Sequence, residues 1–426
     1  MRIQVAAAGA AAFCAVSPLT MADVAPEMAA VVKTYADIAE AGYADSLAAA
    51  RKLRTAVDTL VEEPTDANLE AAREAWRAAR VPYMQTEAFR FGNAIVDDWE
   101  GKVNAWPLDE GLIDYVSAEY GDQSPSNDLY VANVIANTSI KIAGEEVDTS
   151  KITKELLAEK LQEAGGVESN VAIGYHAIEF LLWGQDLNGT GPGAGNRPAT
   201  DYSPKNCTGG NCDRRAEYLV TVTDLLVEDL AWMVEQWGPE GAARKAVMAD
   251  GGRAGLIAIF NGLGSLSYGE MAGERMKLGL LIHDPEEEHD CFSDNTHNSH
   301  FYDAKGMQNV YLGTYTRTDG SVVKGPSASD LVRAKSAEAD QRTRAAIEET
   351  VKRMEAIVQR ANAGEAYDQM IGEGNTEGHA IVEATINALI AQAKEFERDI
   401  AVLDLTAIAF EGSDSLDDPG KVKSGD

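Results

Sequence analysis

Basic residues are scarce in this chain relative to acidic ones. The sequence has 37 Lys and Arg against 69 Asp and Glu over 426 residues, which gives a formal net charge of -32. Binding to nucleic acid or to an anionic membrane surface would have to overcome the repulsive field of this charge. The composition therefore argues against nucleic acid as a partner and favours cations as ligands.

β-Strand patterns are also scarce, and the best of them is the short stretch 309–315. Elsewhere apolar residues recur at the spacing of α-helices. The predicted helices cover residues 24–60, 68–93, 151–164, 171–183, 213–237, 252–281, 327–363 and 376–406. The sequence thus predicts an all-α protein.

The predicted helices fall into two bundle-like halves, residues 23–210 and 211–410, and an acidic tail follows over 411–426. Residues 87–90 and 270–275 are weakly similar, because each segment has a Glu followed by an Arg. This similarity is compatible with internal duplication. Matches this short also arise by chance. Two halves remain the prediction, with or without a common origin.

Long apolar runs are absent after the N-terminus, so no segment of the mature chain is expected to span a bilayer. At the N-terminus, Arg2 precedes an apolar stretch over 3–16, and small residues near Ala22 offer a cleavage site. This pattern predicts a signal peptide over 1–22 and a mature protein in the periplasm or cell envelope. Association with the outer membrane is left open. A lipid anchor at Cys14 is the minor alternative, because bulky Phe13 precedes that cysteine.

Cysteines number four in the whole sequence. In an oxidising compartment, Cys207 and Cys212 are expected to form a local disulfide that closes a small loop. Cys291 is then left unpaired, and we expect it to be buried as a small apolar group.

Standard protease motifs are absent from the sequence. It contains no His-Glu-x-x-His, so the two zinc ligands and the general base of a zincin cannot be built on one helix. It contains no Gly-x-Ser-x-Gly nucleophile elbow either. We therefore do not expect a standard protease.

The most informative segment is 174–184 (GYHAIEFLLWG), which places His176 and Glu179 three positions apart in an apolar run. On a helix these two side chains lie side by side and can converge on one cation. Spacing alone does not distinguish a metal pair from a histidine and glutamate paired in a helical core.

Further acidic residues come from the preceding helix and loop and can face this pair in a bundle. The candidate additional ligands are Glu87, Asp97, Asp98 and Asp109, since carboxylates with imidazole suit iron, manganese or zinc. Arg90 and Trp183 are predicted to orient the ligands or exclude water from the site.

A second candidate lies in residues 283–300 (HDPEEEHDCFSDNTHNSH), which are dense in His, Asp and Glu. The segment could hold a cation, yet it lacks the Cys-x-x-Cys regularity of a structural zinc site. Ser293, Asp294 and Thr296 can equally cap helix ends. We favour an ordered loop that lines a cleft or lies between domains, and leave open whether the His289–His300 cluster joins the first site.

Several segments together resemble one known family over nearly the whole mature chain. They are 76–92, 106–109 (WPLD), 174–184 with a Gly-x-His-x-x-Glu motif, 287–297 and 306–313. The chain is similar to the imelysin-like proteins, the M75 peptidase family, and within it to the iron-regulated protein A type. The resemblance implies an all-helical fold of two bundle-like halves, export, and a link to iron acquisition.

The resemblance also implies site residues. His176 and Glu179 match the family motif, Glu87 and Asp109 fall in segments that would face it, and Arg90 completes the pocket. Some family members carry the name of insulin-cleaving peptidases. The motif search gives that activity little support here.

We therefore expect an exported protein that binds a metal ion, iron first and zinc second, and assists iron uptake in the cell envelope. Its expected partners are the metal ion or an iron-containing ligand and an envelope protein. The alternatives are a zinc metallopeptidase of the M75 type and an envelope protein that binds a partner without metal. The oxidation state of the iron, and haem as the ligand, stay open because oxygen-rich sites overlap in preference.

Overall fold

The computed structural model of the chain describes residues 26–405 and 408–424. These residues form an all-helical protein, as predicted, with 64% of residues in helix and 4% in strand. The predicted signal peptide, residues 1–22, lies outside the described residues. No helix among the described residues has the length and apolarity that crossing a bilayer requires.

The α-helices are α1 (Met28–Glu62), α2 (Asp66–Met84), α3 (Ala94–Glu100), α4 (Lys154–Leu156), α5 (Gly174–Trp183), α6 (Cys212–Trp237), α7 (Ala242–Met248), α8 (Arg253–Ser265), α9 (Leu278–Ile282), α10 (Thr296–Leu312), α11 (Ala328–Lys335), α12 (Ala337–Asn362), α13 (Tyr367–Ile371), α14 (Thr376–Val402), α15 (Asp414–Asp417) and α16 (Pro419–Ser424).

π-Helical segments, short 3-10 turns and two small sheets complete the described fold. One π-helical segment, Leu157–Leu161, extends α4, and a second, Leu266–Lys277, joins α8 to α9. Short 3-10 turns cover Glu87–Phe89, Glu110–Leu112, Ala164–Gly166, Ala199–Tyr202, Asp250–Gly252 and Pro285–Glu287. The antiparallel hairpins are β1 (Ser139–Ile142) with β2 (Glu145–Asp148), and β3 (Thr314–Thr316) with β4 (Val322–Lys324).

The first helices form where the sequence pattern predicts them. Thr65 caps α2, because its side chain accepts a hydrogen bond from the backbone N–H of Asn68. The buried residues of α2 recur every three or four positions, as in Leu69, Ala72 and Trp76. Helix α2 packs against α1, α5 and α10.

Several predicted boundaries differ from the structure; the predicted helix 68–93, for example, ends at Met84. The predicted helix 327–363 is divided at Ser336, whose side chain accepts from the N–H of Ala339 and starts α12. The stretch 309–315 begins as the last turn of α10 and becomes strand only at β3, because Gly313 at φ 62° ends the helix between them. The apolar pattern there reflects burial of Val310 and Tyr311 on α10.

Two groups of packed helices surround the segments predicted to carry the site. In one, α1 packs against α2 and α6, and α5 packs against α2 and α6. In the other, α14 packs against α12, α8 and the second π-helical segment. Helix α10 contacts both α2 and α12, and the segment 283–295 before it lies beside α5. The predicted division of the chain at residue 210 stays a prediction.

The cysteines behave as predicted. Cys207 and Cys212 form a disulfide with their Cα atoms 5.9 Å apart. Cys291 is a free cysteine and is buried in the hydrophobic core.

A buried ion network joins α6 to the segment after the turn Glu110–Leu112 and to the connection between α5 and α6. Nε and Nη2 of Arg215 donate to the two carboxylate oxygens of Asp114, at 2.6 and 3.0 Å. Arg197 bonds to the same carboxylate at 2.7 Å and to Asp201 at 3.0 Å. Asp114, Arg197 and Arg215 are each at most 3% exposed. Removal of one partner from such a network leaves uncompensated buried charge.

We expect Asp114→Ala to lower the free energy of unfolding by about 3–5 kcal/mol, because two buried arginines lose their shared carboxylate. Urea denaturation measures this change. The matched control is Asp224→Ala, which removes a half-exposed carboxylate that bonds Arg54 at 2.6 Å. It is expected to cost less than about 1 kcal/mol. Equal costs for the two variants would contradict the interpretation.

Candidate metal centre

Helix α5 is a short buried helix that begins at Gly174 and is followed by Gly184. All ten of its residues are buried. At its start, Gly174 has φ 86°, and a Cβ there would lie 2.6 Å from the carbonyl oxygen of Val103. The N–H of Tyr175 donates to that same oxygen at 2.7 Å. A side chain at Gly174, the first glycine of the motif, would clash with the Val103 carbonyl, so this position requires glycine. The contact with Val103 also fixes where α5 begins.

The motif pair forms a hydrogen bond inside the core. Nδ1 of His176 lies 2.9 Å from Oε2 of Glu179, and both side chains are at most 1% exposed. The other carboxylate oxygen of Glu179 accepts from the backbone N–H and the hydroxyl of Ser293, at 3.0 and 2.6 Å. Nε2 of His176 is buried and has no hydrogen-bond partner. When Nδ1–H donates to Glu179, Nε2 presents the lone pair that a metal ligand needs.

His289 and Asp290 lie next to His176. The rings of His176 and His289 are 4.8 Å apart and nearly perpendicular. One ligand atom from each of His176, His289 and Asp290 lies within 4.8 Å of the others, so the three residues could hold a metal ion. We call this set the histidine group.

Arg80 on α2 holds the histidine group in place. Its Nη2 donates to Asp290 Oδ1 at 2.8 Å and lies 3.2 Å from Nδ1 of His289. The second oxygen of Asp290 accepts from Asn295 at 2.8 Å and from the hydroxyl of Ser299. Arg80 and Asp290 are at most 1% exposed and form a buried ion pair.

Burial sets the charge state of these groups. Desolvation, with the nearby charge of Arg80, lowers the pKa of His176 to about 3. Desolvation likewise lowers the pKa of His289 well below its usual value. Both imidazoles are therefore neutral at physiological pH, the state in which a histidine binds metal. Burial also raises the pKa of Glu179. Burial acts in the same direction at Asp290, but Arg80 and the hydrogen bonds from Ser299 and Asn295 together outweigh it and lower that pKa.

The other predicted ligands lie in separate surroundings. Oε2 of Glu87 accepts from Arg275 at 2.7 Å. Asp109 accepts from Asn127 and Ser169, at 2.5 and 2.7 Å, and lines a cavity of about 220 Å³. Neither carboxylate belongs to the histidine group.

The two predicted accessory residues also lie apart. Trp183 ends α5 and packs edge-on against Trp76 with ring centroids 5.3 Å apart. Arg90 bonds Asp97 at 3.2 Å and Glu270 at 3.4 Å. Arg90 nevertheless lines the same cavity as His289.

That cavity, of about 520 Å³, gives the histidine group an opening on the side of His289. Its wall combines two arginines, Arg90 and Arg275, with six glutamates. The glutamates are Glu100, Glu163, Glu168, Glu270, Glu274 and Glu287. The lining is therefore net acidic and favours cationic or metal-bearing ligands.

Sequence reasoning placed His289 and Asp290 in a separate loop and did not single out Arg80. Arg80 had a signal in the sequence, because it follows Trp76 by four positions and so falls on the apolar stripe of α2. A basic residue at such a position needs a buried acidic partner. No comparable signal pointed from His289 to His176, which is over a hundred residues away.

The fold and this site define a class: an all-helical protein in which a short buried helix presents a histidine and a glutamate three positions apart. The M75 peptidase family model, described as imelysin, matches residues 39–396. The chain belongs to the imelysin family.

Solved structures share the fold. An iron-regulated protein A precursor from Parabacteroides distasonis ATCC 8503 is similar with a TM-score of 0.63 and 19% identity, over 88% of this chain and 95% of that one. An imelysin-like protein from Psychrobacter arcticum 273-4 is similar with a TM-score of 0.56 and 14% identity, over 89% of this chain and 98% of that one.

A sequence relative adds a local match. Iron-regulated protein A from Synechococcus elongatus is 46% identical over 71 residues. The match covers 16% of this chain and a fifth, 20%, of the length of that protein.

We expect Gly174→Ala to lower the free energy of unfolding by about 2–5 kcal/mol, since it adds left-handed backbone strain to a clash with the Val103 carbonyl. Thermal or urea denaturation measures the loss. Gly320→Ala is the matched control, because Gly320 has φ 84° and open space where its Cβ would be. The control isolates backbone strain, at about 1–2 kcal/mol. A similar decrease in the free energy of unfolding in both variants would show that the close contact at Gly174 does not contribute to stability.

Proposed function

We propose that this protein binds a metal ion, iron in the first place, through the histidine group and assists iron uptake in the cell envelope. The observation that carries the proposal is the buried Nε2 of His176, which has no hydrogen-bond partner and lies beside His289 and Asp290. Imidazole and carboxylate ligands together suit iron and zinc. The iron-regulated names of two similar proteins favour iron.

Glu179 has the role of an orienting partner in this proposal. Metal-binding histidines commonly donate their second ring N–H to a carboxylate, which fixes the ring and raises its basicity. The 2.9 Å contact between His176 and Glu179 has this arrangement, and Ser293 anchors the carboxylate from behind. Glu87 and Asp109 were predicted as additional ligands but lie elsewhere. We propose that His289 and Asp290 bind the metal instead.

Arg80 limits what the site can bind. Its positive charge opposes a bare cation beside Asp290, and Glu179, Asp290 and the glutamates of the adjoining cavity offset that charge. The same cavity offers room for a ligand that arrives with the metal. We therefore propose that iron, alone or with its own ligands, enters from the side of His289.

The first test is iron titration of the purified protein with elemental analysis of the product. Wild type is expected to bind iron, and His176→Ala to lose that binding because the ring that supplies Nε2 is gone. His379→Ala is the control, since His379 lies outside the histidine group and stacks on His283. Equal iron binding by wild type and His176→Ala, or none by folded wild type, would refute the proposal.

Glu179→Gln tests the orienting role separately. The glutamine amide can donate to Nδ1 of His176, which leaves the ring proton on Nε2 and blocks metal binding there. We expect iron affinity to fall by about 10–100-fold while the protein stays folded. Unchanged affinity would mean that Glu179 only fills the core.

Location in the cell envelope is a further part of the proposal. It predicts that the mature protein begins at Asp23 and is recovered in the periplasmic or membrane fraction of the cell. N-terminal sequencing of the protein from each fraction tests this. Recovery from the cytosol with Met1 retained would exclude export, and an envelope partner with it.

A further inference from the structure

Three carboxylates meet at a second place in the described structure. One ligand atom from each of Glu288, Asp294 and Asp368 lies within 4.8 Å of the others. Glu288 follows the turn Pro285–Glu287, Asp294 precedes α10, and Asp368 lies in the first turn of α13. Glu288 and Asp368 are at most 1% exposed, and Asp294 is partly exposed. We call this set the carboxylate group.

Four oxygens of the carboxylate group lack hydrogen-bond partners. Oε2 of Glu288, Oδ1 of Asp294 and both side-chain oxygens of Asp368 are buried and accept no hydrogen bond. Among residues 26–405 and 408–424, no lysine or arginine forms an ion pair with any of the three. Asp290, two positions after Glu288, differs in this respect because Arg80 neutralises it.

A further oxygen, from a hydroxyl, belongs to the same surroundings. The hydroxyl of Tyr367 is buried, with the residue 1% exposed, and has no hydrogen-bond partner. Burial raises the pKa of this hydroxyl, and the neighbouring charge of Glu288 raises it further. Tyr367 therefore presents an unsatisfied oxygen next to the carboxylates, independently of their own charges.

Like charges this close are unfavourable where water is excluded. Burial and the charges of neighbouring carboxylates raise the pKa of Asp294 and of Asp368, each to about 7. Asp186 adds a further negative charge that raises the pKa of both residues. A bound cation would satisfy the free oxygens and remove the repulsion together.

We infer that Glu288, Asp294 and Asp368 form a second cation site, distinct from the histidine group, that binds a hard divalent cation such as Ca²⁺. Carboxylate and hydroxyl oxygens suit calcium, magnesium and manganese, whereas nitrogen ligands suit zinc and iron. Calcium tolerates irregular oxygen geometry better than magnesium does. Partly exposed Asp294 offers the route by which the ion enters. The inference does not rest on iron binding at His176.

Calcium titration of the full-length mature protein tests the inference, by calorimetry and by the thermal midpoint in calcium against chelator. Wild type is expected to bind Ca²⁺ and to melt at a higher temperature in calcium. Asp368→Asn is expected to weaken binding at least tenfold and to abolish the calcium-dependent shift. In chelator it should melt above wild type, because it removes one of the repelling charges.

Two controls make the result specific. Glu373→Gln removes an exposed carboxylate two positions after α13 and should leave calcium binding unchanged. His176→Ala should also bind calcium like wild type, which separates this site from the proposed iron site. Absence of calcium binding by wild type, or equal binding by Asp368→Asn, would overturn the inference whatever happens with iron.

Discussion

A guanidinium inside a protein core has to be neutralised, and much of this site follows from how Arg80 meets that requirement. Its partner, Asp290, comes from the segment between α9 and α10, so the ion pair fastens that segment to α2. With Asp290 in place, His289 lies beside His176, and Ser293 reaches Glu179 on α5. One buried charge pair therefore aligns three elements that are far apart in the chain.

Glu288, two residues before Asp290, is a buried carboxylate without a basic partner in the described residues. Glu288 belongs to the same segment as Asp290, yet it meets two further carboxylates and forms no ion pair with a basic side chain in the described residues. The segment thus places a compensated carboxylate beside uncompensated ones. A buried negative charge needs either a basic side chain or a bound cation. The protein supplies Arg80 to Asp290, whereas for the carboxylate group we infer a bound cation.

Local features of this fold could be predicted from sequence, and long-range ones could not. The helical content, the disulfide between Cys207 and Cys212, and the helix that carries His176 follow from patterns within a few dozen residues. The contact between His176 and His289 depends on packing between distant segments, which periodicity does not report. The π-helical segment after α8 was predicted as ordinary helix, because an apolar pattern does not show whether a turn has widened.

That widened segment changes which residues are neighbours. In an α-helix, residues five apart point in different directions, whereas in the π-helical turn Glu270 and Arg275 lie together and bond at 2.8 Å. Arg275 then also reaches Glu87 and Asp303. The pairing of Glu270 with Arg275 therefore depends on the π-helical turn: if the same residues formed an ordinary α-helix, Arg275 would point away from Glu270.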